Sequence, residues 1–372
     1  MDFGHIGFTE EQIDLLGVAE TFCREKSPIE KVRALMLSDE GYDKGVWKQM
    51  GELGWLAIAI PEEFKGVGLS LTEVVPVAEQ LGRYMLNSPF LSTTVAAQAV
   101  IAGGTRAQMK EILPELSGGM AATLALSEKN GDWNLSNIEA EAVLTDNGYK
   151  LSGTKTFVMD LDAAHWVIAS VLIKEKPALI IIPNSDIPVS SMRREKLIDE
   201  TKRGYELTLD GITVESSAVM DMDKTAIAFD HIHLVANLLG AAELTGSCQS
   251  CIDYTVEYLN TRKQFGKLIG SFQALKHPTV DAFIDYQKSR SLLYTAAFSF
   301  SKQGEGEIAT RMAKAQADQA ASFAADRSIQ FHGGFGFTYD CDAQLYRRRA
   351  IFHASQYGDA RYHKKKLADL LL

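Results

Sequence analysis

The hydrophobic and polar positions follow three successive patterns along the chain. From residue 9 to about residue 118, apolar residues recur at the spacing of an amphipathic helix. Thr9-Glu10-Glu11-Gln12 has the pattern of a capping box, so a helix is predicted to begin there. Further amphipathic helices are predicted at Val46–Leu53, Leu71–Leu81 and Arg106–Leu116.

Near residue 121 the pattern changes to short runs of β-branched and aromatic residues. Asp146-Asn147-Gly148 and Asp210-Gly211 have the composition of tight hairpin turns. Short strands at this spacing are typical of a small antiparallel barrel or sandwich. Strands are predicted at Thr123–Leu126, Ile138–Leu144, Tyr149–Leu151, Lys155–Met159, Trp166–Ile173, Ala178–Ile182, Tyr205–Leu209 and Ile212–Val214.

Helical periodicity returns from about Asp223 to the end of the chain, in four long segments. Breaks fall near Gly266–Gly270, Gly304–Gly306 and Gly333–Gly336. Helices this long and apolar bury themselves by packing on one another, so a four-helix bundle is predicted. The chain is therefore expected to be mostly α with a central β domain. The predicted domains are residues 1–119 (helical), 120–222 (β) and 223–372 (bundle).

Charge and composition exclude several functional classes. The 372 residues carry a formal net charge of −10, and no run of Lys and Arg is longer than three residues, as at Lys364-Lys365-Lys366, so nucleic-acid binding is not expected. The sequence contains no run of 18 apolar residues, so no membrane-spanning helix is predicted. The first residues lack the basic and apolar regions of a signal peptide, which predicts a cytoplasmic location.

Cysteine spacing predicts neither a disulfide framework nor a metal centre. Of four cysteines, Cys248 and Cys251 form a CxxC pair. The flanking pattern is helical, and no second Cys/His pair completes a zinc site. No metal ligand is therefore predicted.

Three motifs point to one family. Tyr258-Leu259-Asn260-Thr261-Arg262-Lys263-Gln264-Phe265-Gly266 is followed by Ile269-Gly270-Ser271-Phe272-Gln273, and Gln330-Phe331-His332-Gly333-Gly334-Phe335-Gly336-Phe337-Thr338 lies further on. The N-terminal Gly54-Trp55, Pro61-Glu62 and Gly66-Val67-Gly68 form the third. In order and separation these motifs resemble the acyl-CoA dehydrogenases along nearly the whole chain. The resemblance implies a helical domain, a small antiparallel β-barrel and a four-helix bundle. It also implies α,β-desaturation of an acyl-CoA thioester, with FAD held between two subunits.

The resemblance assigns part of the FAD site to the bundle. Arg262 would pair with a pyrophosphate oxygen and Phe265 would pack beside the adenosine half. The alternatives are a surface arginine with a carboxylate partner and a core aromatic. The remaining assigned residues offer amide groups or unobstructed backbone N–H groups, although a GGxG sequence alone indicates only a tight turn. They are Gln273, Gln330, Gly333, Gly334 and Gly336.

The same resemblance places the flavin ring against the β domain. Ser127 lies where its hydroxyl would face the ring edge, and Gly153–Met159 resembles the strand beneath the ring. Phe157 stands there in place of a tryptophan, and Met159 in place of a threonine that usually contacts flavin. These changes remove donors from the ring side and put a self-contained flavin site in doubt.

A catalytic base is missing at both places where the resemblance expects one. Most family members carry it in the last bundle helix, where this chain has Gln356-Tyr357, and a minority in the first, where it has Ala236. The nearest carboxylate on that helix is Glu243, two turns or roughly 10 Å away. Glu243 is a weak candidate base, with a structural role as its alternative.

The closing segment, with Arg347-Arg348-Arg349 and Gly358-Asp359, is similar to small subunits of bacterial heterotetrameric dehydrogenases. Those enzymes act on steroid side-chain, dicarboxylyl or cyclic acyl-CoAs. We therefore expect the subunit without the base in an α2β2 complex, with a homologous base-carrying subunit as partner. Electron-transfer flavoprotein is the expected electron acceptor. The alternatives are a self-sufficient homotetramer that uses Glu243 and a catalytically silent structural member of the fold.

Overall fold

Eleven helices and eleven strands form within residues 9–372, the part of the chain that the computed structural model describes. The helices are α1 (Glu10–Lys26), α2 (Ile29–Met36), α3 (Lys44–Glu52), α4 (Leu71–Arg83), α5 (Phe90–Gly103), α6 (Arg106–Ser117), α7 (Thr225–Thr261), α8 (Gln273–Ser299), α9 (Glu305–His332), α10 (Ala343–Ala354) and α11 (Ala360–Leu371). The strands are β1 (Ala122–Ala125), β2 (Glu141–Thr145), β3 (Gly148–Ser152), β4 (Thr154–Met159), β5 (Trp166–Ile173), β6 (Lys176–Pro183), β7 (Met192–Arg194), β8 (Gly204–Thr208), β9 (Thr213–Val214), β10 (Lys263–Gln264) and β11 (Lys267–Leu268).

Contacts divide these elements into two units, each built from segments distant in sequence. One unit comprises Met1–Val32, Leu71–Leu86 and Asn237–Leu372, and the other Arg33–Ser70 and Asn87–Ala236. The order of helices, β domain and helices agrees with the expected fold class. The three-domain division of the sequence stays a prediction.

In the first unit, α1 begins at the predicted capping box. Gln12 N–H donates to Thr9 Oγ1 and Thr9 N–H donates to Gln12 Oε1, both at 3.2 Å. These bonds satisfy two donors that the helix itself cannot pair. The capping box is confirmed.

Helices α4 and α7 meet backbone to backbone through two glycines. A Cβ on Gly82 of α4 would lie 2.1 Å from the carbonyl oxygen of Glu243, and one on Gly246 of α7 would lie 1.9 Å from that of Glu79. Any side chain at either position would therefore push the two helices apart.

The long helices α7, α8 and α9 match three of the four predicted bundle segments. The fourth segment differs, because Ser355–Asp359 interrupts it and separates α10 from α11. By length and composition, the stretch Met222–Thr261 could cross a membrane, yet 67% of its apolar window is buried inside the protein. That burial is typical of the core helix of a bundle.

In the second unit, strands form two sheets. The larger has the order β1-β5-β2-β3-β9 with β6 also paired to β5, and the smaller has the order β4-β8-β7. The smaller sheet is wholly antiparallel, whereas β1 and β2 both run parallel to β5 in the larger. The expected barrel was antiparallel throughout, and the β1–β5 and β2–β5 pairs differ from that expectation. No hairpin joins β1 to β5, so these two strands are free to pair in parallel.

A buried arginine joins the α2–α3 connection to this β domain. The Arg203 guanidinium donates to the carbonyl oxygens of Leu35, Met36 and Ser38 at 2.8, 3.2 and 2.8 Å. It thereby satisfies carbonyls that the end of α2 leaves unpaired. Gly41 lies directly over it with φ +74°, and a Cβ there would be 2.4 Å from Arg203 Nε.

We expect Gly41→Ala to destabilise the protein by about 2–4 kcal/mol, because it combines backbone strain with displacement of a buried cation. Gly54→Ala is the matched control, since Gly54 has the same φ of +74° and open space at its Cβ position. Gly54→Ala should cost only about 1 kcal/mol. Urea unfolding measures both free energies, and equal losses would contradict the role given to Arg203.

Candidate cofactor site

A short hairpin follows α7 and carries the first group of predicted cofactor residues. Arg262 follows the last residue of α7, and its carbonyl oxygen accepts a hydrogen bond from Ile269 N–H at 2.9 Å. The Arg262 side chain is exposed and forms no ion pair within residues 9–372. The alternative of a surface arginine paired with a carboxylate therefore has no support in the described chain.

Phe265 projects from the tip of this hairpin. It is 86% exposed, with φ +54°, and its ring meets Phe272 edge to face at 6.2 Å between centroids. The alternative of a core aromatic is therefore wrong. An exposed phenyl ring on a strained tip indicates a surface that binds something outside this chain. Gln273, the first residue of α8, is also exposed.

A glycine turn ends α9 and carries the second group. Gly333 has φ +62°, which favours glycine, and a Cβ on Gly336 would lie 2.2 Å from Ile329 O. Those two glycines serve the turn itself. Gly334 differs, because its φ is not in the left-handed region and a Cβ there would meet nothing within 4 Å. Space kept open at an exposed position suits the approach of an external anion to backbone N–H groups.

An aromatic stack brings the hairpin and the glycine turn together. The His332 ring lies between Tyr254 and Tyr258 of α7, with centroid distances of 4.8 and 4.1 Å. Tyr258 O accepts from Arg262 N–H at 2.9 Å, and His332 directly precedes Gly333. Gln330 is exposed on the last turn of α9. The two motifs thus form one surface at the adjoining ends of α7 and α9, and sequence reasoning had not singled out His332.

The β-domain residues form a second, separate group. Ser127 O accepts from Thr156 N–H at 2.9 Å, which connects the end of β1 to β4. Next to them, the buried Lys155 ammonium contacts Glu128 Oε1 at 2.6 Å and Ser170 Oγ at 2.9 Å. Burial lowers the pKa of Lys155, and the Glu128 carboxylate opposes that shift. The pair fixes the β1 end against β4.

Phe157 occupies an irregular position in β4. The pairing of β4 with β8 shifts register between Lys155 and Val158, and Phe157 has φ +51°. Its side chain is 43% exposed, and its N–H donates to the Glu195 carboxylate at 2.9 Å. That carboxylate, which sequence reasoning had not singled out, follows β7 and contacts β4, the strand expected beneath the flavin ring.

Neither expected base position carries an acid. The interruption between α10 and α11 holds Gln356 and Tyr357, and Tyr357 O accepts from Asn237 Nδ2 at 3.2 Å. Tyr357 has φ +54°, and burial raises its pKa to about 12. Its hydroxyl therefore stays protonated at neutral pH and cannot act as a base.

Glu243 lies inside the bundle. Its side chain is 1% exposed, and its Oε2 is 2.8 Å from His353 Nε2 of α10. Arg349, also fully buried, places Nη1 3.9 Å from Glu243 Oε1. These contacts suit a structural polar cluster between α7 and α10, and a carboxylate buried against an arginine and a histidine has little access to a substrate.

A second buried cation holds the interruption between α10 and α11. Lys314 Nζ of α9 contacts both carboxylate oxygens of Asp318 at 2.8 and 2.9 Å. It also donates to His353 O and Gly358 O, each at 3.1 Å. Burial lowers the pKa of Lys314 and raises that of Asp318, so their mutual attraction must offset two desolvation costs.

Comparison with known proteins identifies the family. Residues 9–120 match the acyl-CoA dehydrogenase N-terminal domain and residues 236–369 the C-terminal domain. The acyl-CoA dehydrogenase IpdE2 of Mycobacterium tuberculosis is 31% identical over 90% of this chain and 88% of its own length. A variant of the Tcur3481-Tcur3483 steroid ACAD is 26% identical with a TM-score of 0.86, covering 97% of this chain and 98% of that one. The ChsE4-ChsE5 complex from Mycobacterium tuberculosis has the same fold, with 24% identity, a TM-score of 0.86 and 98% of each chain covered. The chain belongs to the acyl-CoA dehydrogenase family of FAD-dependent oxidoreductases that act on CH–CH bonds.

Proposed function

We propose that this chain is the subunit without the catalytic base in an α2β2 acyl-CoA dehydrogenase. One observation carries the proposal: Ala236 and Gln356-Tyr357 stand where family members carry the base, and the nearest carboxylate, Glu243, is buried against His353 and Arg349. The family reaction removes a proton beside the thioester carbonyl, which needs an accessible carboxylate. That carboxylate is supplied by a homologous partner subunit.

The bundle surface at the ends of α7 and α9 suits the phosphate side of FAD. Arg262 supplies an unpaired planar cation, Gly334 an unobstructed backbone and Phe265 an exposed ring for the adenosine half. Gln273 and Gln330 add exposed amides. FAD, when bound, accepts the hydride from the β-carbon of the substrate. The role of this chain is to hold the cofactor in place across the interface with its partner.

The relatives support a proposal for the substrate class. The likeness to a steroid ACAD makes a steroid-type acyl-CoA the first substrate class to assay. An electron-transfer flavoprotein is proposed as the electron acceptor and the cytoplasm as the location. A dehydrogenase encoded in a neighbouring open reading frame is the first partner to co-express.

Arg262→Ala should weaken FAD retention by the assembled complex. A charge-assisted hydrogen bond contributes about 1.5–3 kcal/mol, so the FAD dissociation constant should rise by about 10- to 100-fold. Lys263→Ala is the matched control, because Lys263 is an exposed cation in the same hairpin whose charge the proposal does not use. FAD release is followed by flavin fluorescence at several salt concentrations.

If Arg262→Ala and Lys263→Ala retain FAD equally well at every salt concentration, the phosphate role of Arg262 is wrong. If the chain alone binds FAD and turns over acyl-CoA without any partner, the self-sufficient homotetramer replaces the proposed function.

A further inference from the structure

The bulge in β4 turns the Phe157 N–H away from the hydrogen bonds between β4 and β8. Pairing with β8 is regular at Thr154 and Lys155 and resumes at Val158, so the two residues between are displaced. A bulge leaves its extra residue unpaired and turns its groups out of the sheet. Phe157, within the bulge, has φ +51° and would relax if it were not held there.

The Glu195 carboxylate of the same chain holds Phe157 in this conformation. Glu195 follows β7 on the outer edge of the β4-β8-β7 sheet, and its own N–H donates to Gly204 O at 2.9 Å. Its Oε2 accepts the Phe157 N–H, also at 2.9 Å. The neighbouring cation Arg193 is engaged with Glu206 at 2.9 Å, and Glu195 forms no ion pair with any cation in residues 9–372. Arg193 attracts the Glu195 carboxylate without forming an ion pair with it, so the chain offsets the negative charge at this edge only in part.

These residues do not fit a flavin ring. The polar edge of isoalloxazine consists of carbonyl oxygens and ring nitrogens, and it gains negative charge when the ring is reduced. Apart from the N3–H group, these atoms accept hydrogen bonds, so the edge needs mainly donors from the protein. Here the Thr156 N–H is used by Ser127 O, the Phe157 N–H is used by Glu195, and Met159 has no donor. A carboxylate beside that edge also repels the charge that reduction creates.

We propose that Glu195 excludes the flavin ring from the β domain of this chain. The inference rests on the proposed function, in which the ring lies in the partner subunit alone. Glu195 thus decides which subunit of the pair holds the ring: it occupies the donor that the ring would need and places a negative charge at the ring position. The phosphate side of FAD, which the bundle holds, is unaffected by it.

Two probes separate the two halves of FAD in the purified full chain. FMN carries the ring without adenosine, and ADP carries the adenosine diphosphate without the ring. Because the Glu195 carboxylate occupies the Phe157 N–H and directs its lone pairs at the acceptor atoms of the ring, Glu195→Ala should tighten binding of oxidised FMN at least about tenfold and shift the FMN absorbance band. Glu195→Gln should tighten it less, since its amide still occupies the Phe157 N–H. ADP affinity should be unchanged in both.

Glu215→Gln controls for net charge, because it removes an exposed carboxylate from the same unit. If wild type, Glu195→Ala and Glu215→Gln bind FMN equally well while ADP binds and the melting curves coincide, Glu195 does not exclude the ring, and the proposed function is untouched. If ADP binding is absent and Arg262→Ala changes nothing, the phosphate site of the proposed function fails, whatever FMN does. FMN binding that tightens in Glu195→Ala alone supports the inference.

Discussion

Converting the partner subunit's base from Glu to Gln should lower acyl-CoA turnover of the assembled complex by about 10²–10⁴-fold, the usual contribution of a general base. Glu243→Gln in this chain should leave turnover within a few-fold of wild type. The physical reason is access, because Glu243 is 1% exposed and held by His353 and Arg349. Gln keeps the shape of Glu and removes only its basicity.

Both complexes are assayed with FAD bound and below the melting temperature, since Glu243→Gln also weakens a buried polar cluster. A loss near a thousandfold in Glu243→Gln, with FAD retained and the complex intact, would make Glu243 the base. That outcome would favour the self-sufficient enzyme. Loss of assembly without loss of turnover per assembled complex would instead agree with the structural role.

Lys314→Met should lower the free energy of unfolding by about 3–5 kcal/mol, because it strands the buried Asp318 carboxylate and two carbonyl oxygens. Lys48→Met is the matched control, because Lys48 and Glu52 have the same i,i+4 spacing, lie 3.7 Å apart and are both exposed. That change should cost under about 0.5 kcal/mol. Urea unfolding measures both.

Adding Asp318→Asn to Lys314→Met should recover part of the loss, since no charge then remains buried without a partner. If the losses of unfolding free energy in Lys314→Met and Asp318→Asn simply add in the double variant, Lys314 and Asp318 do not act as a pair.

The strands and helices with a clear pattern could be predicted from the sequence, and those without one could not. β5 was predicted at Trp166–Ile173, the bounds that the structure gives. Helix α5 was missed because ten of the fourteen positions of Phe90–Gly103 are buried and none is exposed, so no polar face marks its period. β7 was missed because Met192–Arg194 has three residues, two of them arginine.

The buried charges show a different limit. Lys314 and Asp318 are four apart on one helix, a spacing that is common on exposed faces, so their burial has no local signal. Glu243 contacts residues more than a hundred positions away in sequence. Glu195 contacts Phe157 because β4, β8 and β7 are neighbours in one sheet, an order that the sequence does not reveal. The motifs predict the cofactor residues, whereas the role proposed for Glu195 depends on a contact between strands that no motif marks.

The glycine contact between α4 and α7 bears on how such chains can recombine during evolution. Gly82 and Gly246 each fit only against the backbone of the opposite helix, at Glu243 and Glu79. A chimera that joins the first 119 residues of one family member to the rest of another would pair helices that were never matched at this contact. Exchange should therefore succeed only when α4 and α7 are inherited together, which makes the whole chain, rather than a domain, the unit of recombination.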